Sequence, residues 1–508
     1  MSARTRTGLI IGAVAQVLAL AVAFLGTVIG LFFAPSALGQ AIVELLPGPV
    51  SIPLIELLGH WAQRLLLVAI LVAFVAAGAL AGALARAAER RDRAVVAVAA
   101  APWVLAVVLP AAFASAQIPL SGALADAALG AASFALVLGY LNAAASPAGE
   151  AVDGPSRRRA LVGLAAVAVV LGAGGLVFAQ SLRSVGARVA GTARAARRLR
   201  TAAEIPPADP AFDRIAGLAP RLTPTAAHYT VDTALVDPRV DERRWKLAVS
   251  GAVERPFSLT YEELLDLEAV EQVHTLECIS NEIGGDLVST ARWTGVPLRD
   301  LLERAGVRRN AVDVVFRSVD GYTDSIAIEK ARDPRTLVAY LMDGLALPEE
   351  HGFPARMLIP DIYGMKNVKW VEEITVSVFD YQGYWMERGW SDLALVNTHS
   401  RIDTTGDLRT LDGHVTIAGI ANAGARGISK VELSVDGART WIPAELEAPA
   451  GPLAWVRWRV RWAPPGPGTY RASVRATDGT GQVQPVSARP PFPSGSTGLH
   501  TVQLRVGV

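Results

Sequence analysis

Cys278 is the only cysteine in this chain of 508 residues, and it lies in the polar segment HTLECISNEIGG (274–285). Because a single cysteine has no partner within its own chain, an internal disulfide is excluded. Three roles remain for the thiol: an apolar filler of the core, a nucleophile, or a soft thiolate ligand for a metal. His274 keeps a Cys–His nucleophilic pair open, although no residue that would orient the histidine is evident.

A second set of candidate residues is basic and follows the cysteine by about 70 residues. His351, Arg356 and Lys369 lie close together in the sequence, between glycine and proline turns. Fixed cations bind phosphate groups, arginine through two parallel hydrogen bonds and lysine as a point charge. Each residue alone is more often a surface charge, but the set predicts an anion site. Lys366 and Asn367 lie in the same Gly-Met-Lys-Asn loop and are candidates for lining it.

The elements that must position these side chains begin with a strongly apolar N-terminal part. A helix needs about 20 apolar residues to cross the hydrocarbon core of a bilayer. Five runs approach or exceed that length without a central lysine or arginine: 8–33, 65–84, 94–115, 122–143 and 160–179. The runs predict a five-helix transmembrane bundle in a domain at residues 1–180. A cleavable signal peptide would account for only the first run.

Arginines indicate how this bundle is oriented. One side of the membrane would carry nine of them: Arg4, Arg6, Arg86, Arg90, Arg91, Arg93, Arg157, Arg158 and Arg159. The loops of the other side carry only Arg64. Because cytoplasmic loops are enriched in basic residues, the N-terminus is predicted to be cytoplasmic and the chain beyond residue 180 to be extracytoplasmic. Six arginines at 181–200 oppose this orientation unless they rest on anionic lipid head groups.

The membrane part leaves two questions open. The segment SRRRALV (156–162) resembles a twin-arginine export signal, and it equally resembles a positive-inside anchor. The loop 34–63 is apolar and rich in proline, and the sequence does not reveal its role. The spans contain no histidine that could hold a haem, so the bundle is predicted to be an anchor in the lipid bilayer.

Three regions follow the membrane part. Residues 181–227 are basic and rich in proline, which predicts a semi-rigid linker. Residues 228–398 mix strand and helix patterns and predict an α+β domain. Within it, a helix is expected from Thr260 to Leu267, with Thr260 as N-cap and Glu263 three residues later, and another from Leu298 to Ala305.

Residues 399–508 show an all-β pattern. In AWVRWRVRW (454–462), apolar residues alternate with Arg457, Arg459 and Arg461. Several such strands, separated by Asp-Gly turns, predict an immunoglobulin-like sandwich. The three arginines are expected to form a solvated face of that sandwich, with a face that binds an anion or a partner as the alternative.

Three motifs in this order resemble the sulfite oxidase family of molybdopterin enzymes, over residues 228–508. They are LECISN (276–281) followed by ARWTGVPLRDLL (291–302), GYTDSI (321–326) with LVAYLMDG (337–344), and HGFPAR (351–356) running into YGMKNVKW (363–370). The resemblance implies a molybdenum–molybdopterin cofactor domain followed by an immunoglobulin-like dimerisation domain, and therefore a homodimer.

The resemblance also implies roles for the candidate residues. Cys278 would be the protein thiolate on molybdenum, and His351, Arg356 and Lys369 would hold the cofactor phosphate. Lys366 and Asn367 would line the pterin or the substrate entrance. Tyr322 resembles the family's active-site tyrosine, and its alternative role is that of a turn aromatic packed on the sheet.

Two departures from the family bear on the reaction. Sulfite oxidases follow the cysteine with Gly-Asn-Arg-Arg, whereas this chain has Ser280, Asn281, Glu282 and Ile283. A carboxylate where the family has a cation disfavours sulfite itself. The chain also lacks a Cys-x-x-Cys-His haem motif, so electrons would pass to or from an external protein or a quinone-linked partner.

These patterns predict a membrane-anchored, extracytoplasmic molybdopterin oxidoreductase. It would transfer an oxygen atom to or from a small sulfur-containing substrate, an oxyanion such as sulfite or a sulfoxide. No nucleic-acid partner is expected. The rival hypothesis is a non-catalytic surface protein that keeps the fold without the metal and binds a partner through its sandwich.

Overall fold

The computed structural model describes residues 3–27, 31–46, 61–87, 93–113, 120–144, 198–234 and 237–507. The chain divides into two compact units. One comprises residues 1–187 together with 232–239, and the other comprises residues 188–231 and 240–508.

The N-terminal unit is helical. Its described helices are α1 (Ala3–Gly26), α2 (Ala34–Leu45), α3 (Trp61–Ala87), α4 (Arg93–Phe113) and α5 (Leu120–Ala144). Helices α1 and α3 pack closely because each has two glycines four residues apart. A side chain at Gly8 or Gly12 would collide with the backbone of Gly82 or Gly78. Small residues at this spacing let two membrane helices approach without lipid between them.

Three of these helices are long and apolar enough to cross a membrane: Arg4–Gly26, Arg64–Arg86 and Gly122–Asn142. Helix α4 contains only a shorter apolar stretch, Ala100–Ala112, and has prolines at 102 and 110. Residues 34–45, predicted as part of a loop, form helix α2. The expected span at 160–179 and the segment 156–162 lie outside the described residues. A five-helix bundle is therefore not confirmed, whereas three apolar helices are.

Two sheets and one shared hydrophobic core form the α+β part of the C-terminal unit. The first sheet has the order β1-β4-β5-β8-β10, with β9 paired to β8. Its strands are β1 (Leu199–Thr201), β4 (Ala269–Glu277), β5 (Val288–Pro297), β8 (Leu337–Met342), β9 (Leu345–Ala346) and β10 (Arg356–Leu358). The second sheet has the order β3-β2-β11-β6-β7. Its strands are β2 (Lys246–Gly251), β3 (Phe257–Thr260), β6 (Asp313–Ser318), β7 (Thr323–Ala327) and β11 (Val371–Ser377).

Four short helices accompany these sheets: α6 (Pro210–Asp213), α7 (Tyr261–Leu265), α8 (Leu298–Ala305) and α9 (Ile328–Ala331). Helix α7 begins with the expected capping box, in which Thr260 and Glu263 exchange hydrogen bonds. Helix α8 has the expected bounds. It ends at Gly306, whose φ of 72° closes the last turn in the left-handed conformation.

The rest of the C-terminal unit is a sandwich of two sheets, ordered β12-β14-β18-β17 and β13-β20-β19-β15-β16. The strands are β12 (His399–Ile402), β13 (Gly406–Arg409), β14 (Val415–Asn422), β15 (Ile428–Ser434), β16 (Ile442–Pro443), β17 (Glu445–Leu446), β18 (Val456–Trp462), β19 (Gly468–Asp478) and β20 (Thr501–Gly507). Alternate residues of both sheets meet in one core, which includes the fully buried Trp458. The structure therefore has an all-β sandwich, and its immunoglobulin-like character stays a prediction, as do the predicted domain boundaries.

The predicted linker is not a spacer over residues 198–231, which we call the strap. The strap begins with β1, where Leu199 pairs with Ala269 of β4. Further along, Phe212 is only 1% exposed and Thr223 donates its N–H to the carbonyl of Thr290 at 2.7 Å. Composition suggested a spacer because proline is frequent, but the prolines here lie between points where the strap is fixed to the domain.

The arginine face of β18 also differs from the prediction. Arg457 is buried, and its guanidinium binds Glu447 at 2.6 Å and Asp213 of the strap at 2.7 Å. Arg459 binds Glu445 at 2.7 Å, while Arg461 is exposed. Two of the three arginines therefore face acidic partners, because the strap and β17 cover this side of the sandwich.

Candidate functional site

Cys278 occupies the first position after β4, where the chain leaves the sheet toward β5. The side chain is buried, with 7% of the residue exposed. Its N–H donates to the carbonyl of Leu287 at 2.9 Å, and its own carbonyl accepts from Asn281 at 3.0 Å. The Ser280 hydroxyl lies 2.9 Å from the sulfur. The thiol is therefore held in a fixed turn beside a hydroxyl group.

The residue before the cysteine ties this turn to the sandwich. Glu277 is buried and accepts hydrogen bonds from the side-chain amides of Asn281 at 3.1 Å and Asn422 at 3.2 Å. His399 lies 3.2 Å from the same carboxylate. Because Asn422 and His399 belong to β14 and β12, the sandwich contributes directly to the position of the cysteine turn.

Two further contacts fix the connection from residue 278 to 287. The Ser496 hydroxyl donates to the carbonyl of Asn281 at 2.7 Å. The Arg401 guanidinium donates to the carbonyl of Gly285 at 2.6 Å. Glu282, at the position where the family has a cation, is exposed. The connection is thus clamped by backbone contacts from the sandwich, without an arginine of its own.

The structure brings together the predicted phosphate residues and adds one from the strap. We call His228, His351, Arg356 and Lys369 the basic cluster. The rings of His228 and His351 lie 5.1 Å apart, and Arg356 donates to the carbonyl of His351 at 3.2 Å. Lys369 donates to the carbonyl of Glu350 at 2.7 Å. His228 lies outside the three sequence motifs that carried the prediction of an anion site.

Gly352 explains how the cluster becomes so compact. It follows His351 in the left-handed region, with a φ of 106°. A Cβ atom there would lie 3.0 Å from Lys369 and 3.2 Å from Arg356. Glycine therefore allows both conformation and close approach. The Arg356 guanidinium also lies 5.2 Å from the centre of the Trp293 ring.

The electrostatics of the basic cluster favour an anion. Burial is the main cause that lowers the pKa of His351 to about 4, and the charge of Arg356 lowers it further. The pKa of His228 lies well below its usual value because of burial and then the charges of His351, Arg356 and Lys369. Positive charges therefore outweigh the local Glu350, and the two imidazoles are kept neutral.

One buried atom in the cluster indicates where such an anion would be held. His228 Nε2 has no hydrogen-bond partner among the described residues, although the residue is only 5% exposed. Buried polar atoms without a partner are uncommon in folded proteins and often mark a ligand or water position. Because His228 Nδ1 already donates to the carbonyl of Tyr229, Nε2 carries a proton only in the charged ring, which a bound anion favours. In that form it fits the phosphate of a pterin cofactor, together with Arg356 and Lys369.

Lys366 and Asn367 are both held by hydrogen bonds within the protein, and their predicted place beside the pterin or the substrate entrance stays a prediction. The Lys366 ammonium is 2% exposed and donates to Asp324 at 2.9 Å, to the carbonyl of Ser325 at 2.8 Å and to Asp392 at 3.0 Å. All three of its protons are therefore used within the protein.

The Asn367 side chain is used to shape its own loop. Its oxygen accepts from the N–H of Ile359 at 2.7 Å, and its amide donates to the carbonyls of Ile362 at 3.3 Å and Tyr363 at 3.1 Å. Its carbonyl also accepts from Arg356 at 3.2 Å. Asn367 thus orients a member of the basic cluster.

Tyr322 lies beside the same loop and is partly buried. Its hydroxyl is 3.0 Å from Asp324 and 2.9 Å from the carbonyl of Met365, both acceptors of its single proton. Burial and the Asp324 carboxylate raise the pKa of Tyr322 well above its usual value, so the phenol is neutral at physiological pH. Asp324 was not predicted from the sequence, although it lies in the GYTDSI motif.

The turn Gly364–Lys366 connects the surroundings of Tyr322 with those of Cys278. A Cβ atom at Gly364 would lie 3.2 Å from the carbonyl of Glu277. On the other side of the turn, Met365 accepts from Tyr322. The neighbouring Tyr363 has its pKa raised by burial and then by the charges of Glu277 and Cys278. Tyr322 and Glu277, the residue before Cys278, therefore lie against the same turn.

Two protein families match the C-terminal unit in the order that the motifs indicated. The oxidoreductase molybdopterin binding domain matches residues 234–385, and the Mo-co oxidoreductase dimerisation domain matches residues 393–490. The basic cluster residue His228 lies just before the first of these matches.

Curated relatives and a solved structure agree with these matches. Mitochondrial sulfite oxidase of Rattus norvegicus is 30% identical over 318 residues, which cover 53% of this chain and 58% of the rat protein. Sulfite oxidase of Gallus gallus is 30% identical over 321 residues, with 53% of this chain and 69% of the chicken protein covered. The crystal structure of the sulfane dehydrogenase SoxCD from Paracoccus pantotrophus shares the fold. Its TM-score is 0.51 and its identity is 23%, over 57% of this chain and 85% of that one. The chain thus spans little more than half the length of its mammalian relatives, with a molybdopterin-binding domain and a dimerisation domain, and it belongs to the sulfite oxidase family of molybdenum-cofactor oxidoreductases.

Proposed function

We propose that the protein is a membrane-anchored, extracytoplasmic oxidoreductase that transfers one oxygen atom to or from a small sulfur-containing substrate. Electrons would be exchanged with an external redox partner. One observation carries the proposal: a buried thiol and a basic cluster lie in a single unit whose sequence belongs to a molybdenum-cofactor family, and His228, His351 and Arg356 of the cluster are buried.

Cys278 would bind the molybdenum, and the basic cluster would hold the phosphate at the other end of the cofactor. When bound, the cofactor supplies two-electron redox chemistry and oxygen-atom transfer at the metal. A soft thiolate suits that metal as a single protein ligand. Ser280 would donate a hydrogen bond to the sulfur and so limit its freedom to rotate.

Tyr322 would supply the polar side of the reaction site. Its neutral hydroxyl has one proton, which Asp324 and Met365 accept in this structure. The hydroxyl would turn this proton from them toward a reacting oxygen. Lys366 would act indirectly, because it binds Asp324 and so fixes the carboxylate beside Tyr322. Asn367 would fix the conformation of its own loop. Lys366 and Asn367 are thus proposed as positioning residues, while Cys278 and Tyr322 face the reaction.

The substrate is proposed to be a sulfoxide in preference to sulfite. The connection after Cys278 carries the exposed Glu282 in place of the family's arginines. A neutral sulfoxide tolerates this carboxylate better than a sulfite dianion does, because like charges repel. Arg401 of the sandwich contacts this connection, but its guanidinium is engaged by Asp403 at 2.6 Å as well as by the carbonyl of Gly285.

Location and assembly complete the proposal. The three apolar helices of the N-terminal unit support an anchor in the lipid bilayer. The distribution of arginines supports a cytoplasmic N-terminus. The match to a dimerisation domain supports a homodimer.

The test uses the full chain, purified from a host that makes the cofactor, beside Cys278→Ser. We expect near-stoichiometric molybdenum and pterin in the unchanged protein. X-ray absorption should show one metal–sulfur contact fewer in the variant, because a hydroxyl replaces the thiolate. Both proteins are then assayed with sulfite plus an electron acceptor and with sulfoxides plus a reduced donor. Loss of Cys278 is expected to lower turnover by at least about 100-fold.

Two results would contradict the proposal in different ways. A loaded protein that is inactive with both substrate classes would exclude these substrates but keep the cofactor assignment. A folded protein that contains neither molybdenum nor pterin would favour the non-catalytic binding protein. In that case Cys278→Ser should change nothing that is measured.

A further inference from the structure

Four side chains form a continuous line of hydrogen bonds from Tyr322 to the protein surface. The Tyr322 hydroxyl is 3.0 Å from one oxygen of Asp324, and the other oxygen of Asp324 is 2.9 Å from the Lys366 ammonium. The same ammonium is 3.0 Å from Asp392. Each of these distances is that of a direct hydrogen bond.

The line runs from the interior to solvent. Asp324 and Lys366 have side chains that are 0% and 2% exposed, whereas the side chain of Asp392 is 45% exposed. A buried Asp–Lys pair costs desolvation free energy, and apolar residues of similar volume often stabilise a fold as well. Core stability is therefore a weak explanation for this pair. The pair lies in line between the hydroxyl of the partly exposed Tyr322 and a surface carboxylate, which suggests a functional role.

We propose that Asp324, Lys366 and Asp392 form a proton path that connects Tyr322 with solvent. The proposal rests on the proposed function, because moving an oxygen atom between water and a substrate consumes or releases two protons. Reduction of a sulfoxide to a sulfide and water takes up two electrons and two protons. Oxidation of sulfite with water releases the same numbers. The external redox partner carries the electrons, so the protons need a route of their own.

The transfer balances with O–H and N–H bonds alone. In the reducing direction, Asp392 takes a proton from water and passes it to Lys366 as Lys366 gives one to Asp324. Asp324 then gives a proton to the phenol oxygen while the phenol proton moves toward the substrate side. Each group ends with the protons it began with, and the oxidising direction is the reverse.

The charges around Asp324 allow it to accept a proton near neutral pH. Burial raises the pKa of Asp324 to about 6, and the Lys366 charge opposes this rise. Tyr322 is the other titratable group that faces it, and Tyr322 is itself faced by Asp320 and Tyr384. A carboxyl group whose pKa is close to the working pH can both take and release a proton.

Asp392→Asn tests the path at its exposed end, where the change leaves Lys366 its two buried partners. The matched control is Asp380→Asn, an exposed acid nearby that has no place in the line. We expect Asp392→Asn to lower turnover by about 100-fold at low buffer concentration, the lower range for loss of a proton-transfer group. Turnover should recover as a small buffer acid is added, and the solvent deuterium isotope effect should exceed that of the unchanged protein. Asp380→Asn should change neither property.

A second measurement does not depend on turnover. Infrared difference spectra between pH 5 and pH 8 should show the carboxylic acid band of Asp324, identified by its absence in Asp324→Asn. Its midpoint near pH 6 should fall in Asp392→Asn, because Lys366 then loses a neighbouring negative charge and stabilises the Asp324 carboxylate more.

The outcomes separate the path from the proposed function. Asp392→Asn could lower turnover without recovery by added buffer acid and without a change in the solvent isotope effect. That result would overturn the path and indicate a structural role for Asp392. Unchanged turnover would also overturn it. If the unchanged protein acts on neither substrate class, the proposed function fails, but the infrared measurement still tests the path. The path is overturned if the titration midpoint of Asp324 is the same in Asp392→Asn as in the unchanged protein.

Discussion

His228 and His351 are neutral in this fold because both are buried and because the charges of Arg356 and Lys369 lie beside them. Burial lowers the pKa of His351 to about 4 and lowers that of His228 well below its usual value. A bound dianion would reverse the balance, because opposite charge at short distance favours the protonated imidazole. The two histidines should therefore take up protons when an anion binds.

We expect the protein without cofactor to bind sulfate more tightly as the pH falls from 7 to 5. Sulfate keeps its charge in this range, so the change must come from the protein. Each proton that is taken up with the anion strengthens binding by up to about tenfold per pH unit. Calorimetry in two buffers with different heats of ionisation measures this uptake. The double variant His228→Gln/His351→Gln should bind with little pH dependence, and a pH dependence equal to that of the unchanged protein would contradict this account.

Residue types and spacing predicted part of the site at this scale. His351, Arg356 and Lys369 do lie together, because glycine and proline turns bring them to one end of β10. The sequence did not distinguish the buried Lys366, which binds two carboxylates, from the lysine and arginine of the basic cluster. Its buried partners, Asp324 and Asp392, are 42 and 26 residues away, and no local pattern records such a contact.

The strap is the element that links residues before the cofactor domain to the basic cluster. Phe212 lies under the guanidinium groups of Arg459 and Arg457, at 4.6 and 5.7 Å from its ring centre. At the far end of the strap, the carbonyl of Thr225 binds His351 Nε2 at 3.2 Å, and His228 follows. Docking of the strap on the sandwich therefore supports the position of two cluster residues.

Phe212→Ala should release the middle of the strap without unfolding the domain core. Truncation of a buried phenylalanine lowers the free energy of unfolding by about 3–5 kcal/mol. Here the loss should destabilise mainly the strap, because the strap can detach from the domain locally. Amide hydrogen exchange should rise within the strap and stay unchanged in β4 and β5. The control is Ile205→Ala, since Ile205 is 36% exposed. Equal exchange in both variants would show that Phe212 does not hold the strap.

Elements with a local cause were predicted well. The capping box of α7, the bounds of α8 and the alternation in β18 follow from neighbouring residues. Elements that depend on distant partners were not. The strap was read as a spacer because Asp213 and Arg457, which join it to β18, are 244 residues apart. Helix α2 was likewise missed, since its first N–H is held by Asp126, 92 residues later.

At the scale of the whole molecule, the number of membrane crossings decides on which side the C-terminal unit lies. Helices α1, α3 and α5 have the required length and apolarity, whereas α4 has a shorter apolar stretch interrupted by proline. Three crossings, or five if α4 and residues 160–179 both cross, put the N-terminus and the C-terminal unit on opposite sides. Four crossings would put them on the same side.

The single cysteine makes this question directly measurable. Cys278→Ser gives a chain without thiols, into which one reporter cysteine is then placed. Glu89→Cys lies between two predicted spans and leaves the neighbouring arginines intact. Thr405→Cys lies on an exposed part of the sandwich. We expect a membrane-impermeant maleimide to label the second reporter in intact cells and the first only after the membrane is opened.

The expected labelling follows from an odd number of crossings combined with the positive charge of the connection around residue 89. Labelling of Glu89→Cys alone in intact cells would show that the orientation is the opposite of the predicted one. Protection of both reporters until the membrane is opened would mean an even number of crossings, in which either α4 or residues 160–179 cross, but not both. The cofactor domain would then face the cytoplasm, and its redox partner would have to be sought there. One labelling experiment thus decides whether the electron-transfer partner is extracytoplasmic or cytoplasmic, before that partner is identified.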